Sequence, residues 1–390
     1  MASQRLFDAH EFLVRLPGFI GDRVFRNFTF LFLGFACLHF AFADEAGARV
    51  IRVSGGSASL FRPDAGGNEA HEGLLTTGKV LSTGDKIVTG PGCQVVLQLR
   101  DGTRLEIAEE SHLVIGDESI DGGKKRIFSL QFGELIAKVR KLASADESFV
   151  IVTPTAIAGV RGTVFSVAVG EDGTTQVGVS EGSVAVDSEL SEKETPALVN
   201  TGEAVETTAM GFENKRKFDA AKFQFAAWRD GNRELVKKDF SLRAERLAER
   251  FKNSALQMIQ AQEDLRATVL KLHEVSRARD NAKQRRERRL MEGAEKEEIL
   301  LLRRCLDGHH RLLLFFERLA SWQPLLSRMR AMASGRPDLL EKMRELGERN
   351  KEIREKLEHN RRGMAAFFDE EKAFILQRLE LHGLAPARAK

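Results

Sequence analysis

The chain's 390 residues suffice for two domains, and charged side chains make up 30% of them. Of its three cysteines only Cys93 and Cys305 would follow a cleaved leader, which excludes a disulfide-stapled scaffold. The net charge of +3 conceals two opposed halves: residues 213–390 hold 41 Lys and Arg against 29 Asp and Glu, a net of +12, leaving −9 for residues 1–212. Either the basic half meets an anionic surface (lipid headgroups, envelope polymer or an acidic partner), or it is attracted to the acidic half. Salt screens such attraction beyond about 8–10 Å, so it steers docking more than it holds it.

The N-terminus reads as an export signal. Arg23 and Arg26 precede a mainly apolar run of 13 residues, Phe28 to Phe40, and Ala41-Phe42-Ala43 then meets Asp44-Glu45. A charged flank, a short apolar core and a small-residue site predict cleavage between Ala43 and Asp44. The run is shorter than the roughly 20 apolar residues a membrane helix needs. Two alternatives are an uncleaved anchor over residues 1–43 and lipidation at Cys37, preceded by Leu33-Gly34-Phe35-Ala36. The expected location is the periplasm or cell envelope.

Residues 44–73 read as a linker with the first strands: a strand pair within 48–61, then a loop over 62–73 around Pro63, Gly66 and Gly67. Residues 74–210 hold short runs rich in Val, Ile and Thr, with turn signals every 8–12 residues, and this predicts an all-β domain. Val95–Leu99 and Thr103–Ile107 flank Asp101-Gly102, a hairpin signal. Ile127–Leu130 and Leu135–Val139 flank Phe132-Gly133-Glu134, and Gln176–Ser180 and Ser183–Val186 flank Glu181-Gly182. Both read as further turns.

The most informative stretch is 152–169. Pro154 opens it, Arg161-Gly162-Thr163 punctuates it, and Phe165, Val167 and Val169 then share one strand face. With Gly84-Asp85, Asp101-Gly102, Gly133-Glu134 and Glu181-Gly182 in order around it, the region resembles the FecR-like domain, named from the periplasmic part of ferric-citrate regulators. The resemblance covers roughly 74–187 and implies short strands in a solenoid-like or sandwich arrangement. Regulators of this kind carry a cytoplasmic anti-sigma segment, one membrane helix and the periplasmic domain, which receives a signal from an outer-membrane transporter. The 27 residues before the apolar run are too few for that segment. No transporter-binding residue is carried over.

From residue 213 to 390 strand signals vanish, and an all-α bundle or coiled-coil domain is expected. Residues 234–290 place Val236, Phe240, Leu247, Phe251, Met258, Leu265, Val269 and Leu272 at helical spacing. Residues 295–332 read as a second stretch interrupted at Gly308 and Pro324, with Leu312–Phe316 buried on more than one side. After Gly335-Arg336-Pro337-Asp338, one helix over 338–382 carries a heptad seam: Leu339, Met343, Leu346, Asn350, Ile353, Leu357, Asn360, Met364, Phe367, Glu371 and Phe374. The seam packs within the chain or, over 339–374, joins two copies, with Asn350 fixing register. Arg277, Arg279, Lys283, Arg285, Arg286, Arg288 and Arg289 form the densest basic run, a solvated face or an anion-binding stripe such as a membrane surface would meet. No aromatic side chains interleave it for base stacking, so no nucleic acid is expected.

No nucleophile–base motif, zinc motif or phosphate-binding loop occurs, so no catalytic, metal or cofactor residue is assigned. Asp85, Asp101 and Glu134 fit turn chemistry better than catalysis. Arg161 would pair with a neighbouring acid or a carboxylate ligand. His309 and His310 point about 100° apart on a helix and are poorly placed to share an ion. Trp228 and Trp322 read as packing anchors. The sequence thus predicts a non-catalytic exported envelope protein: a β domain that binds an unidentified envelope protein, polymer or ligand, with a helical spacer or oligomerisation arm. The alternative is a membrane-anchored signalling component related to sigma-factor regulators.

Overall fold

The computed structural model describes residues 48–63, 69–118, 125–140, 148–160, 162–188 and 196–384. Ala43, Asp44, Cys37 and Arg161 lie outside the described residues.

Two sheets form the N-terminal half. The first runs β4 (Val80–Leu81), β1 (Ala48–Ser54), β6 (Gln94–Leu99), β7 (Arg104–Ile107), β9 (Lys125–Lys138), β12 (Val164–Val169), β13 (Thr175–Glu181) and β16 (Glu203–Thr208). β17 (Gly211–Phe212) and β18 (Arg216–Lys217) close its edge on β16. The second runs β3 (Glu69–Leu74), β2 (Ala58–Pro63), β5 (Lys86–Thr89), β8 (His112–Glu118), β9, β10 (Ser148–Val152), β11 (Ile157–Val160), β14 (Ser183–Asp187) and β15 (Ala197–Asn200). Every pairing is antiparallel except β9 with β10. Val95, Leu97, Leu105, Leu135, Phe165, Val167 and Val177 from one layer meet Leu60, Ile87, Leu113, Phe128, Phe149, Ile151 and Val184 from the other in one buried core. The two layers face each other around this core, and the chain passes back and forth between them while advancing along them.

Several expected turns are corrected. Val95–Leu99 and Thr103–Ile107 do form a hairpin, Leu97 facing Leu105. Phe132-Gly133-Glu134 is not a turn. β9 continues through it, pairing with β10 up to Ser129 and β8 up to Phe132, then with β12 from Gly133 and β7 from Leu135. Gly133 makes this crossing with φ +95°, where a Cβ would lie 2.1 Å from Ser111 Oγ. Glu181-Gly182 joins β13 in one sheet to β14 in the other, so it is a corner and not a hairpin. β1 and β2 pair with other strands and not with each other. Of residues 62–73, expected as loop, Arg62 and Pro63 end β2, and 69–73 belong to the edge strand β3 paired with it.

Among the described residues five helices follow: α1 (Phe225–Lys238), α2 (Phe240–Arg285), α3 (Arg288–Met332), α4 (Pro337–Arg349) and α5 (Lys351–Leu381). α3 runs unbroken through Gly308 and Pro324, correcting the interruption expected there. Gly308 sits against Leu265 of α2, where a Cβ would come within 3.3 Å of a leucine methyl; its missing side chain serves close helix packing. The pairs Phe251–Trp322 and Ser276–Glu298 make α2 and α3 antiparallel. The single helix expected over 338–382 is two, separated at Asn350, whose side-chain amide donates to the Ala248 carbonyl at 3.0 Å. Met343, Leu346, Ile353, Leu357 and Phe367 of the seam are buried in the apolar cluster that α2 and α3 share.

The helices cover the outer face of the second sheet. Ile127, Val150, Val152 and Ile157 alternate with the sandwich core and join Phe315, Leu319 and Leu325 in the helical cluster. Phe149-Val150-Ile151-Val152 is apolar without alternation because both of its faces are covered.

Candidate functional site at the junction of sheet and helices

The β12–β13 hairpin turns through Gly170-Glu171-Asp172-Gly173-Thr174. Asp172 is fully buried and accepts from the Thr174 amide and hydroxyl at 3.0 and 2.9 Å, an Asx turn that shapes the loop. Its carboxylate also receives Asn232 Nδ2 of α1 at 3.1 Å and Arg243 of α2 at 2.6 Å. Next to it, Arg233 Nε donates to Glu171 at 2.9 Å. Gly173 (φ +78°) lets this turn sit against Pro154 and Leu325.

Three further guanidiniums grip backbone carbonyls of the sandwich. Arg250 donates to Thr208, to Thr155 at 3.2 Å and to Ser188 at 2.8 Å. Arg318, 1% exposed, also reaches the Ser188 carbonyl. Arg328 donates to the Gln131 carbonyl at 2.5 Å and lies 4.6 Å over the Phe132 ring. A dense threonine cluster backs the contact: the Thr155 hydroxyl donates to the Gly173 carbonyl at 2.7 Å and lies 3.1 Å from the Thr207 carbonyl. Thr208 ends β16 and Thr155 and Ser188 lie just beyond strands, where carbonyls are open as acceptors; Gln131 is within β9, and the Nε atoms of Arg243 and Arg328 are buried without a hydrogen bond.

Electrostatics here follow burial. Desolvation pushes Arg328 down to about 10, with Glu171 opposing, and His112 down to about 3, with Arg328 and Lys86 assisting. His112 is therefore neutral and packs edge-on to Phe132. Burial alone raises Glu134 to about 7 and Cys305 to about 12. Cys93 is likewise raised by burial; both cysteines are free and buried. Among the described residues no group of three or more His, Cys, Asp and Glu is placed to hold a metal.

The residues singled out from sequence do not gather at one point. Asp85 is fully buried and bidentate to Arg62 at 2.7 and 2.8 Å, and Gly84 before it turns at φ +86°. Asp101 caps its turn through Thr103 and pairs with Arg126 at 2.6 Å, while Gly102 turns at φ +90°. Burial opposes ionisation of Asp101, but the Thr103 amide and Arg126 prevail and hold it below its usual value. Gly162 and Gly182 have φ +65° and +87°, and a Cβ on Gly182 would press on Thr163 at 2.7 Å. Phe165 is core, Glu181 is exposed, and Pro154 borders the junction at Gly173. Trp322 anchors packing against Phe251, and Trp228 Nε1 donates to Glu206 at 3.2 Å.

Arg243, Arg250, Arg318, Arg328, Glu171 and Asp172 were not anticipated. A signal for two of them exists: Arg243 and Arg250 share the apolar stripe of Phe240, Leu247 and Phe251, so a charge there needs a buried partner. The basic run lies far away, where α2 turns into α3 at Arg286 (φ 58°). Arg279 is buried against Glu298, whereas Arg277, Lys283, Arg285, Arg286, Arg288 and Arg289 are exposed. At 1.5 Å per residue this tip stands roughly 50 Å along α2 from Arg250. Among the described residues no helix is long and apolar enough to cross a membrane.

Residues 85–185 match the family described as FecR protein. No curated protein matches the chain. Two crystal structures, at 2.50 and 1.65 Å resolution, of a candidate anti-sigma factor from Parabacteroides distasonis ATCC 8503 resemble it at 25% identity and a TM-score of 0.31. The likeness covers 37% of this chain and 63% of each of those chains, so the chain spans less than two thirds of their length.

Proposed function

With residues 85–185 forming a FecR domain, we propose that the protein is a non-catalytic, exported regulator of the cell envelope. Its sandwich binds a protein partner, and its long helices act as a spacer whose basic tip meets an anionic membrane surface. The observation that carries this reading is the buried junction: Arg243 on Asp172 and Arg250 on three carbonyls fix the sandwich to the base of the helices. A spacer transmits position only if its attachment is stiff. The six exposed cations at the far end supply the electrostatic attraction, on the order of 1 kcal/mol each near an anionic leaflet. The charged flank, apolar run and Ala43-Asp44 site support export.

Three measurements test it. Mass spectrometry of the mature N-terminus should find Asp44 first. A photo-crosslinker at the exposed Gln98 of the first sheet, used in intact cells, should capture one envelope partner. Retention of residues 1–43 together with crosslinks to a cytoplasmic partner would replace this reading with the membrane-anchored signalling component. Co-sedimentation with vesicles containing phosphatidylglycerol should fall when Arg285, Arg286, Arg288 and Arg289 are all changed to Glu.

A further inference from the structure

At the tip remote from the sandwich, α2 and α3 are joined by Arg286 and Glu287 alone. Leu290, on the first turn of α3, is 65% exposed, more than any other large apolar side chain of the described helices. Its position on α3 belongs to the inward stripe. Counting back at helical spacing from the buried Leu301 and Glu298, that stripe passes through Ala294, which packs on the helical cluster, to Leu290. α5 closes this side only as far as its own last turn. It ends at Leu381, and the following His382 reaches Glu298 at 3.0 Å and stands 3.9 Å from Glu295. The last apolar position of the stripe therefore projects past its cover.

A single exposed leucine is ordinary on a protein surface. This one sits in a collar of one sign: residues 283–292 hold Lys283, Arg285, Arg286, Arg288 and Arg289 against Glu287 and Glu292, and Glu292 is tied to Arg288 at 2.8 Å. An apolar tip inside a cationic collar matches an anionic bilayer, with the cations among the headgroups and the leucine below them. A soluble polyanion would answer the collar and leave Leu290 wet. A second copy of the chain would bring the same cations to the contact.

We propose, resting on the membrane contact assigned to this tip above, that Leu290 inserts into the acyl boundary of an anionic leaflet while Arg285, Arg286, Arg288 and Arg289 lie on its phosphates. The partner is thereby a fluid lipid surface and not a soluble or polymeric anion. Insertion reaches about 5–10 Å below the headgroups, so it takes in the first turn of α3 and no more.

Fluorescence of the full chain with vesicles of phosphatidylglycerol brominated along its acyl chains tests the proposal, because bromine quenches only a tryptophan close to it. The tryptophan introduced by L290W should lose most of its emission. Trp228 and Trp322 should not respond, since they pack near the sandwich on Glu206 and Phe251. L270W is the control: Leu270 is 54% exposed but lies roughly 22 Å back along α2 from Arg285, and it should show no quenching. Brominated phosphatidylcholine should quench neither variant. L290N should keep its thermal midpoint and co-sediment with phosphatidylglycerol vesicles about tenfold more weakly than the wild type, the least that burying one leucine contributes. Wild-type co-sedimentation without quenching of L290W, equal quenching of L270W, equal quenching by phosphatidylcholine, or an unaltered affinity of L290N would each overturn insertion and leave the membrane contact standing. A wild type that does not co-sediment at all would overturn both.

Discussion

Arg243 and Asp172 meet at 2.6 Å across 71 residues of sequence, the first on a long helix and the second in a hairpin turn that it helps to close. Asp172 is wholly buried and Arg243 nearly so. Replacing Arg243 by Ala strands a buried carboxylate with only Asn232 and Thr174 for company. Breaking such a pair from one side costs about 3–5 kcal/mol. Urea unfolding should register that loss, and the R243M/D172N double variant should recover part of it.

Gly133 and Gly102 both have φ near +90°, but only Gly133 is hemmed in. A Cβ there would lie 2.5 Å from the Ser111 Cα, whereas at Gly102 nothing stands within 4 Å. G102A should therefore cost only the backbone strain, about 1 kcal/mol. G133A adds a clash with backbone and should cost about 3 kcal/mol or more. Thermal unfolding of the two variants side by side checks the difference.

Glu134 carries a pH signature. Burial raises its carboxyl to about 7 from an ordinary value of 4.5. The folded protein therefore holds that proton more tightly than the unfolded chain does. The group costs nothing below about 4.5, and stability falls as pH rises from there to about 7, by on the order of 2 kcal/mol. Denaturation midpoints across pH 4–8 should show this slope, and E134Q should flatten it.

Glu298 is fully buried between α2, α3 and the end of α5. It accepts from Ser276 at 2.6 Å and His382 at 3.0 Å, and it lies 3.4 Å from both Arg279 and Arg378. E298A leaves two guanidiniums in a cavity and should loosen the last turns of α5. Hydrogen exchange over 371–381 should accelerate at least tenfold, while β6 and β7 keep their protection.

The two-part architecture was legible because periodicity changes from two to near 3.6 at the boundary and because Gly punctuates the strands. The Asp101-Gly102 hairpin was legible for the same local reason. What escaped is non-local. A Gly between two apolar runs looks the same whether the chain reverses, as at Gly102, or passes between sheets, as at Gly133 and Gly182. Pro324 signals a break by propensity, yet Trp322 and Leu325 are fully buried around it and tertiary packing keeps the helix whole. Arg318 and Arg328 were hidden because their acceptors are backbone carbonyls, which every residue offers and no motif marks.

β9 is a beam common to both layers. Arg328 holds it at Gln131 and Phe132, and two residues later the same backbone belongs to the opposite sheet. A pull applied by the helices at that point need not cross a slack connection to reach the far side of the sandwich. The link between the two surfaces there is covalent, through one glycine at φ +95°.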